Sequence, residues 1–351
     1  MQDIQSFTYD ELKEYLVSIG EKKFRAEQIF YELHNGKTLN EMSNIPQSLK
    51  DTLKATFCDT PIEIIKVQKS KDGTQKLLYK LPDDNVVEGV IMSYKFGYTL
   101  CVSTQVGCRM GCKFCASGLD GVVRNLTAGE IMSQIIMSNR LLEGDVKNRK
   151  INNIVLMGSG EPLDNYDNVL RFIDIATDKR GLYYSERNIS LSTCGLVPNI
   201  YKLADSGHQI HLCISLHASN DLVRRAIMPI AKAYKIDDIL AACKYYFEKT
   251  NRRILIEYIM IKDVNSSKEM AMELAKKICK LNCMVNLIGL NEVKENSFKR
   301  CSKEEMSAFA EVLKGYNINV TTRRSLGNDI DGACGQLRRK YVSGNKSIKG
   351  A

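Results

Sequence analysis

The sequence of 351 residues lacks any apolar run that approaches the roughly 20 residues of a membrane-spanning helix. It also lacks the basic and then apolar layout of a signal peptide, since its first residues, MQDIQSFTYDELKEYL, include acidic side chains. We therefore predict a cytoplasmic protein with no membrane partner. No internal repeat or low-complexity linker is evident, so the length fits a large core with a smaller accessory domain.

Acidic residues are fewer than basic ones, 41 against 50, which gives a net charge of +9. This excess favours a polyanionic partner, although an ordinary solvated surface produces the same balance. Basic residues are concentrated in Lys66–Lys80, in Arg323 and Arg324, and in the tail from Arg338. If the partner is RNA, these segments are candidates for contacts with phosphates.

Periodicity divides the chain into four parts. Apolar residues at helical spacing predict a helical accessory domain over residues 1–55, and alternating runs between turn signals predict an antiparallel β extension over residues 56–97. From 98 to 330, strands alternate with amphipathic helices, which predicts an α/β fold with a partial (β/α)6 barrel. Residues 331–351 form a C-terminal segment with a basic tail.

The active site of such a barrel collects at the carboxyl ends of its strands. The predicted barrel strands are residues 100–103, 153–157, 188–192, 210–216, 253–260, 283–288 and 317–322.

A cysteine motif, CxxxCxxC, follows the first of these strands and contains Cys108, Cys112 and Cys115. Three thiolates this close together complete a tetrahedral zinc site only with a distant fourth ligand, which is one alternative. A cubane [4Fe–4S] cluster normally takes four cysteines. A loop that offers three leaves one iron open, able to bind the amino and carboxylate groups of S-adenosylmethionine (SAM). The motif therefore predicts one [4Fe–4S] cluster with three cysteine ligands.

This motif, with Phe114 before its last cysteine, resembles the radical SAM signature. The resemblance implies that the cluster cleaves SAM to a 5′-deoxyadenosyl radical. Most of the chain is similar to the RlmN/Cfr family of radical SAM RNA adenine methyltransferases. The blocks that carry this similarity are LCVSTQVGC, GCKFCASG, MGSGEPLDNYDNV, SLSTCGLVPNI, SLHA, NLIGLNEVKE and DIDGACGQLR.

Membership of this family implies an RNA substrate. RlmN-type enzymes methylate C2 of adenosine 2503 in 23S ribosomal RNA, before ribosome assembly is complete, and in some bacteria adenosine 37 of transfer RNA. Cfr-type enzymes methylate C8 of the same ribosomal adenosine. The GEP and NEVKE blocks favour the RlmN type, whereas the shared catalytic residues do not distinguish C2 from C8. The remaining alternative is a non-catalytic iron–sulfur RNA-binding protein.

The same resemblance implies a catalytic set outside the cluster motif. Cys334 matches the cysteine that takes a methyl group from one SAM, after which a second SAM supplies the radical that activates this methyl group for addition to C2. Glu88 matches the base that removes the C2 proton, and its place in an apolar strand suits that role. Cys101 matches the resolving thiol, which forms a transient disulfide with Cys334 that must be reduced for turnover.

The resemblance further implies a set of SAM-binding residues and an external electron donor such as flavodoxin or ferredoxin. Each predicted SAM residue lies near the carboxyl end of a predicted strand, which independently suits a ligand site at a barrel mouth. Glu161 is expected to accept a hydrogen bond from the SAM amine. The full predicted set is Gly160, Glu161, Ser192, Ser215, Leu216, His217 and Asn291.

Overall fold

The computed structural model describes residues 2–59, 62–291, 297–324, 326–327, 329–330 and 337–342. Its N-terminal part contains three helices, α1 (Tyr9–Ser18), α2 (Phe24–His34) and α3 (Gln47–Thr56), and two short parallel strands, β1 (Gln2–Asp3) and β2 (Phe57–Cys58). Helix α1 begins where the Thr8 side chain accepts from the Glu11 N–H while the Glu11 carboxylate accepts from the Thr8 N–H, a capping box. Helices α1 and α2 lie within residues 1–55, where the apolar spacing predicted helical structure.

Four antiparallel strands follow: β3 (Glu63–Lys69), β4 (Gln75–Lys80), β5 (Val86–Tyr94) and β6 (Gly97–Cys101). Antiparallel pairing was expected in this region, but the strands do not form a sheet of their own. Strand β6 pairs with β5 along one edge and in parallel with a later strand along the other, so the β extension continues the main sheet.

A short antiparallel pair, β7 (Gln105–Gly107) and β8 (Val122–Asn125), encloses the cysteine motif. Helices and strands then alternate to the end of the sheet. They are α4 (Ala128–Leu141), β9 (Ile151–Leu156), α5 (Tyr166–Thr177), β10 (Ile189–Thr193), α6 (Val197–Asp205), β11 (His211–Ser215), α7 (Asp221–Ile227), α8 (Ile236–Thr250), β12 (Ile254–Met260), α9 (Lys268–Ile278), β13 (Cys283–Gly289), α10 (Lys303–Gly315) and β14 (Asn319–Thr322).

The main sheet has ten strands in the order β14-β13-β12-β11-β10-β9-β6-β5-β4-β3, and the pairings from β6 to β14 are all parallel. This open, parallel-rich sheet confirms the predicted α/β fold, and each predicted barrel strand overlaps an observed one. Parallel strands direct all their carboxyl ends to one edge, so the residues that follow β6 and β9–β13 meet there.

The two faces of β12 show how the core is arranged. Ile254, Ile256, Tyr258 and Met260 are fully buried, and the Tyr258 ring lies 5.1 Å from that of Phe309 in α10. This face therefore packs against the outer helices. Glu257, between them in the sequence, points to the opposite side because side chains alternate along a strand. Among the described helices, none combines the length and apolar character that crossing a membrane requires.

We predict that Ile256→Ala lowers the free energy of unfolding by about 2–5 kcal/mol, because it opens a cavity beneath the central sheet. Ile256 pairs with Ile214 and Val285 on either side. The matched control is Leu222→Ala, whose side chain is 81% exposed and whose replacement should change stability by less than about 0.5 kcal/mol. Urea unfolding of both variants measures this; equal losses would contradict the packing described.

Candidate active site at the carboxyl ends of the strands

The cysteine loop is held in place from both sides. The backbone N–H of Cys108 donates to the Gly121 carbonyl at 2.9 Å, and that of Lys113 donates to the Ile227 carbonyl of α7 at 2.9 Å. Gly107 has φ +83°, and a Cβ there would lie 2.1 Å from the Gly121 oxygen. Only glycine fits this close approach, so the loop conformation depends on it.

The three cysteines of the motif lie close together among apolar side chains. Cys108 and Cys112 pack against Met110, Ile227 and Met228. Burial raises the pKa of the Cys108 thiol to about 12. The pKa of Cys112 is also raised, first by burial and then by the neighbouring Cys115 and Cys108. Without a metal these thiols are protonated at neutral pH, and binding a metal would release their protons.

Within the described ranges, no three Cys, His, Asp or Glu side chains converge closely enough to hold a single metal ion. The thiolates of a cubane need not converge in this way, because each of them binds a different iron atom. The three-cysteine donor set is therefore compatible with an iron–sulfur cluster.

A buried arginine supports the same fit. Arg224 is fully buried and donates from Nε to the Leu216 carbonyl (3.1 Å) and from Nη2 to the Cys194 carbonyl (2.6 Å). Burial lowers the pKa of Arg224, against the opposing influence of Cys194 and Cys112. Its third nitrogen, Nη1, has no partner among the described residues. A buried donor of this kind is costly, and the sulfur atoms of a cluster on Cys112 would offer it an acceptor.

The predicted SAM residues of β10 and β11 meet around a carboxylate that the sequence prediction missed. The Glu257 side chain in β12 is buried and accepts from the Ser192 hydroxyl at 2.8 Å and from the Ser215 hydroxyl at 3.5 Å. The backbone N–H of Leu216 donates to the Glu257 carbonyl at 3.1 Å. The sequence signal that could have identified Glu257 is a single carboxylate within an apolar strand, the same signal that Glu88 gives.

His217 joins this group to the cysteine loop. Its Nδ1 accepts from the Ile259 N–H at 3.0 Å, and its ring meets the edge of the Phe114 ring at 5.1 Å. The Asn265 side chain, which the sequence prediction missed, donates to the His217 carbonyl at 2.8 Å. Burial, with a smaller effect of Arg224, lowers the pKa of His217 to about 3. The ring is therefore neutral and carries its proton on Nε2.

Gly160 and Glu161 lie next to the strand that leads into the cysteine loop. Gly160 has φ +108°, and a Cβ there would lie 2.7 Å from the Gln105 nitrogen. The buried Glu161 carboxylate accepts from the Cys194 N–H (2.8 Å) and from the Leu163 N–H (3.1 Å), and burial raises its pKa. The Thr193 and Cys194 side chains also hydrogen-bond to this carboxylate, so its position is fixed from several sides at the end of β9 and β10.

A second group surrounds a cavity of about 130 Å³ that lies between β4–β6 on one side and the ends of β13 and β14 on the other. Cys101 and Lys76 line the cavity, and Asn291 lies here rather than in the hydrogen-bonded groups around Glu257 and Glu161. Glu88 is buried beside it, and its Oε2 lies 3.1 Å from the Lys76 Nζ. The proposed base and the proposed resolving thiol are thus neighbours, but Glu88 is ion-paired rather than surrounded only by apolar groups.

The position of Lys76 corrects one expectation from the sequence. The segment Lys66–Lys80 was expected to offer its lysines to RNA phosphates, but the Lys76 side chain has no exposed surface. Its place in β4 points it into the sheet interior, where it pairs with Glu88. Lys76 is therefore excluded from a surface contact with phosphate.

Ser103 connects the two groups. Its hydroxyl donates to the Glu88 carbonyl at 2.7 Å and accepts from the Ser159 N–H at 2.9 Å. Ser159 directly precedes Gly160, so this one hydroxyl contacts both groups. The fully buried Gln134 of α4 clamps the Ser103 backbone through two bonds of 2.9 Å. Nothing in the sequence marks these two side chains, because their roles depend on partners far away in the chain.

Cys334 lies outside the described residues, and so the predicted disulfide with Cys101 stays a prediction. No disulfide joins two cysteines of the described ranges. The described residues that flank this segment lie at the cavity side of the mouth. Ile330 lines the cavity, the Arg338 N–H donates to the Glu88 carboxylate, and Leu337 packs against Leu78 and Val86.

Comparisons with known proteins agree with the geometry. A model of the Radical SAM superfamily matches residues 102–275, and a model of the ribosomal RNA large subunit methyltransferase N-terminal domain matches residues 2–58. A probable dual-specificity RNA methyltransferase RlmN from Clostridium perfringens strain SM101 is 50% identical over 99% of this chain and 100% of its own. A protein of the same description from Clostridium novyi strain NT is 49% identical over 98% and 100%.

Among solved structures, that of a radical SAM methyltransferase from Sphaerobacter thermophilus superposes with a TM-score of 0.90 and 38% identity, covering 96% of this chain and 99% of that one. The fold and the family resemblance inferred from the sequence blocks are confirmed by these matches.

We predict that His217 stays neutral between about pH 5 and about pH 8, since its pKa of about 3 lies far below the roughly 6.5 of an unfolded histidine. Its contribution to stability is present above about pH 6.5 and is lost as the pH falls towards about 3. Nitrogen-15 NMR of histidine-labelled protein, with His217→Gln to assign the signal, should show an Nε2–H ring throughout. Protonation near pH 6.5 would contradict the burial described.

Proposed function

We propose that the chain, which belongs to the RlmN family of radical SAM RNA methyltransferases, methylates C2 of adenosine 2503 in 23S ribosomal RNA through a methylated Cys334. The dual specificity named for its relatives supports adenosine 37 of transfer RNA as a second substrate. The observation that carries methylation through a protein thiol is the buried Glu88 beside the cavity lined by Cys101, and the GEP and NEVKE blocks favour C2 over C8. A generic radical SAM site needs neither residue.

The radical-generating half of the site is assigned to the cysteine loop and the strand ends beside it. Cys108, Cys112 and Cys115 would hold one [4Fe–4S] cluster, with Arg224 Nη1 as a donor towards it. When bound, the cluster and two SAM molecules per turnover would supply the methyl group and the hydrogen-abstracting radical. The seven predicted SAM residues stand at the strand ends: Gly160, Glu161, Ser192, Ser215, Leu216, His217 and Asn291.

The other half of the site comprises Cys334, Glu88 and Cys101, and it allows methylation of a carbon that is not nucleophilic. C2 of adenine is an electron-poor aromatic carbon and cannot attack a methyl group as a nucleophile, so a protein thiol, Cys334, carries the methyl group instead. Glu88 then accepts the C2 proton of the protein–RNA adduct. The Cys101 thiolate attacks the sulfur of Cys334, and the electron pair of the broken carbon–sulfur bond goes to the methylene carbon, which takes up a proton and becomes the C2 methyl group. A Cys101–Cys334 disulfide is left for an external thiol to reduce.

The RNA must present a single base to the cavity, so the target adenosine has to leave its stack. Arg323 and Arg324 are exposed and line the cavity, where they suit contacts with the phosphates around an inserted nucleotide. The N-terminal helices are assigned to RNA binding because residues 2–58 match the methyltransferase N-terminal domain. Flavodoxin or ferredoxin is the proposed electron donor.

We predict that Cys108→Ala, Cys112→Ala or Cys115→Ala each abolishes cluster binding, since an iron then loses its thiolate. The control is Cys194→Ala, because Cys194 is 6% exposed and lies near Cys112 but is not assigned as a ligand. Iron and sulfide analysis after anaerobic reconstitution, with visible absorption spectra, measures the result. Loss of iron from Cys194→Ala would make that residue a fourth ligand and overturn three-cysteine ligation.

We predict that Cys101→Ala accumulates a covalent protein–RNA adduct, because the thiol that breaks the carbon–sulfur bond is missing. Cys334→Ala should form neither adduct nor methylated RNA. Denaturing electrophoresis of labelled RNA and mass spectrometry of its nucleosides measure both products in the anaerobically reconstituted enzyme. Cys213→Ala, at a buried position in β11, is the control and should behave as wild type. Formation of methylated RNA by Cys334→Ala would contradict the proposed function.

A further inference from the structure

Lys76 is a lysine whose side chain is completely buried in β4, at 0% exposure. Lysine is almost never buried to this degree unless it is paired, because an ammonium loses its hydration in the protein interior. Its partner is Glu88, 6% exposed, with 3.1 Å between Nζ and Oε2. An apolar side chain would fill this position without the desolvation free energy that a buried ammonium costs. The presence of a buried charge therefore suggests a functional role for Lys76.

The strand register places this ion pair on the reactive side of the sheet. Lys76 is directly opposite Val90 in β5, and Val90 is directly opposite Cys101 in β6. Residues that face each other across strands share one face, and Glu88 shares it too because it precedes Val90 by two positions. Lys76 and Cys101 both line the cavity. The lysine, the proposed base and the proposed thiol therefore lie on a single surface.

In the part of the chain that the structure describes, groups from several elements approach the Glu88 carboxylate. Lys76 approaches Oε2 from β4, and the backbone N–H of Arg338 donates to Oε1 from the C-terminal segment. Cys101 follows on the other side of Val90. Arg323 and Arg324 line the same cavity. Among the described residues, Lys76 is a buried charged group in direct contact with the carboxylate, with its Nζ 3.1 Å from Oε2.

We propose that Lys76 is a positioning residue for methylation, which keeps Glu88 ionised and directed at the cavity so that it can accept the C2 proton. The inference rests on the proposed function. In this step the C2–H bond of the adduct breaks, the proton passes to a Glu88 carboxylate oxygen, and the bonding electron pair stays in the adenine ring. The unpaired electron left by radical addition passes to a one-electron acceptor, a role that the oxidised iron–sulfur cluster would fill. A buried carboxylate without its counter-charge favours the neutral acid, which has no capacity to accept that proton.

The test uses reconstituted holoenzyme of Lys76→Met, which keeps the length of the side chain but not its charge, and Lys76→Arg, which keeps the charge. In a single turnover, Lys76→Met should methylate Cys334 and form the RNA adduct as wild type does. It should release methylated RNA at least about 100-fold more slowly, so that adduct accumulates, whereas Lys76→Arg should stay within about 10-fold of wild type. Lys244→Met, 74% exposed on α8, is the matched control and should leave all rates unchanged.

A double-variant cycle distinguishes an action through Glu88 from an independent one. Lys76→Met should not slow release further in a Glu88→Gln background, because the group that Lys76 serves is already gone. In this background the Lys76–Glu88 ion pair is already absent, so a general loss of structure on replacing Lys76 would appear as a further loss of iron content or adduct formation. Infrared difference spectra between each enzyme and its Glu88→Gln counterpart should show an ionised carboxylate in wild type and a protonated carboxyl in Lys76→Met.

The outcomes separate the two proposals. If wild type forms neither S-methylated Cys334 nor methylated RNA, the proposed function fails. If wild type is active but Lys76→Met releases product at the wild-type rate, the role of Lys76 is overturned. The role is equally overturned if Lys76→Met with full iron content fails to methylate Cys334, or if the two substitutions slow release additively. Failure of Lys76→Arg to restore release would also contradict a role that depends on charge.

Discussion

Strand β6 pairs in parallel with β9 along one edge and antiparallel with β5 along the other, and the site depends on this double pairing. The parallel edge directs the end of β6, and with it the cysteine loop, to the edge where β9–β13 also end. The antiparallel edge brings Glu88 and Lys76 to the same place from strands β5 and β4. Ser103, just after β6, ties the two sides together through its hydroxyl.

The edge of the sheet where the parallel strands end contains many buried polar groups, and their burial lowers the stability of the fold. Lys76, Glu88, Glu161, Arg224 and Glu257 are all nearly or fully buried. Each buried ion costs several kcal/mol of desolvation, which pairing and hydrogen bonds only partly offset. The apolar faces between the sheet and its outer helices supply the compensating stability, as the fully buried face of β12 illustrates. The apolar core between the sheet and its outer helices thus holds the polar side chains at the strand ends in fixed positions.

The sequence predicted the elements of this fold better than the contacts of its site. Strand-like segments that alternate with amphipathic helical segments predicted the barrel strands, and the spacing of Cys108, Cys112 and Cys115 predicted the cluster loop, because both signals are local. Lys76 was assigned to the surface, since a lysine between a turn and an apolar run looks the same whether its partner is water or a buried carboxylate. Glu257, Arg224 and Gln134 were missed for a related reason: their partners lie tens of residues away.

The family resemblance supplied roles that no local pattern carries, and those of the named residues that the structure describes lie in two adjoining groups. One group joins the cysteine loop to Ser192, Ser215 and His217, and the other surrounds the cavity with Cys101 and Glu88. This division suits a reaction in which one region generates a radical and the other completes a methyl transfer. It also explains why the Lys76–Glu88 pair lies at the cavity and not beside the cysteine loop.

The central proposal is that the chain methylates C2 of adenine rather than C8. Its most direct test is anaerobic reconstitution of the enzyme with SAM, a reductant and a 23S ribosomal RNA fragment whose target adenosine carries deuterium at either C2 or C8. Mass spectrometry of the methylated nucleoside should show that the C2 deuterium is lost and the C8 deuterium is retained. Loss of the C8 deuterium with retention at C2, or the absence of any methylated adenosine, would contradict the account.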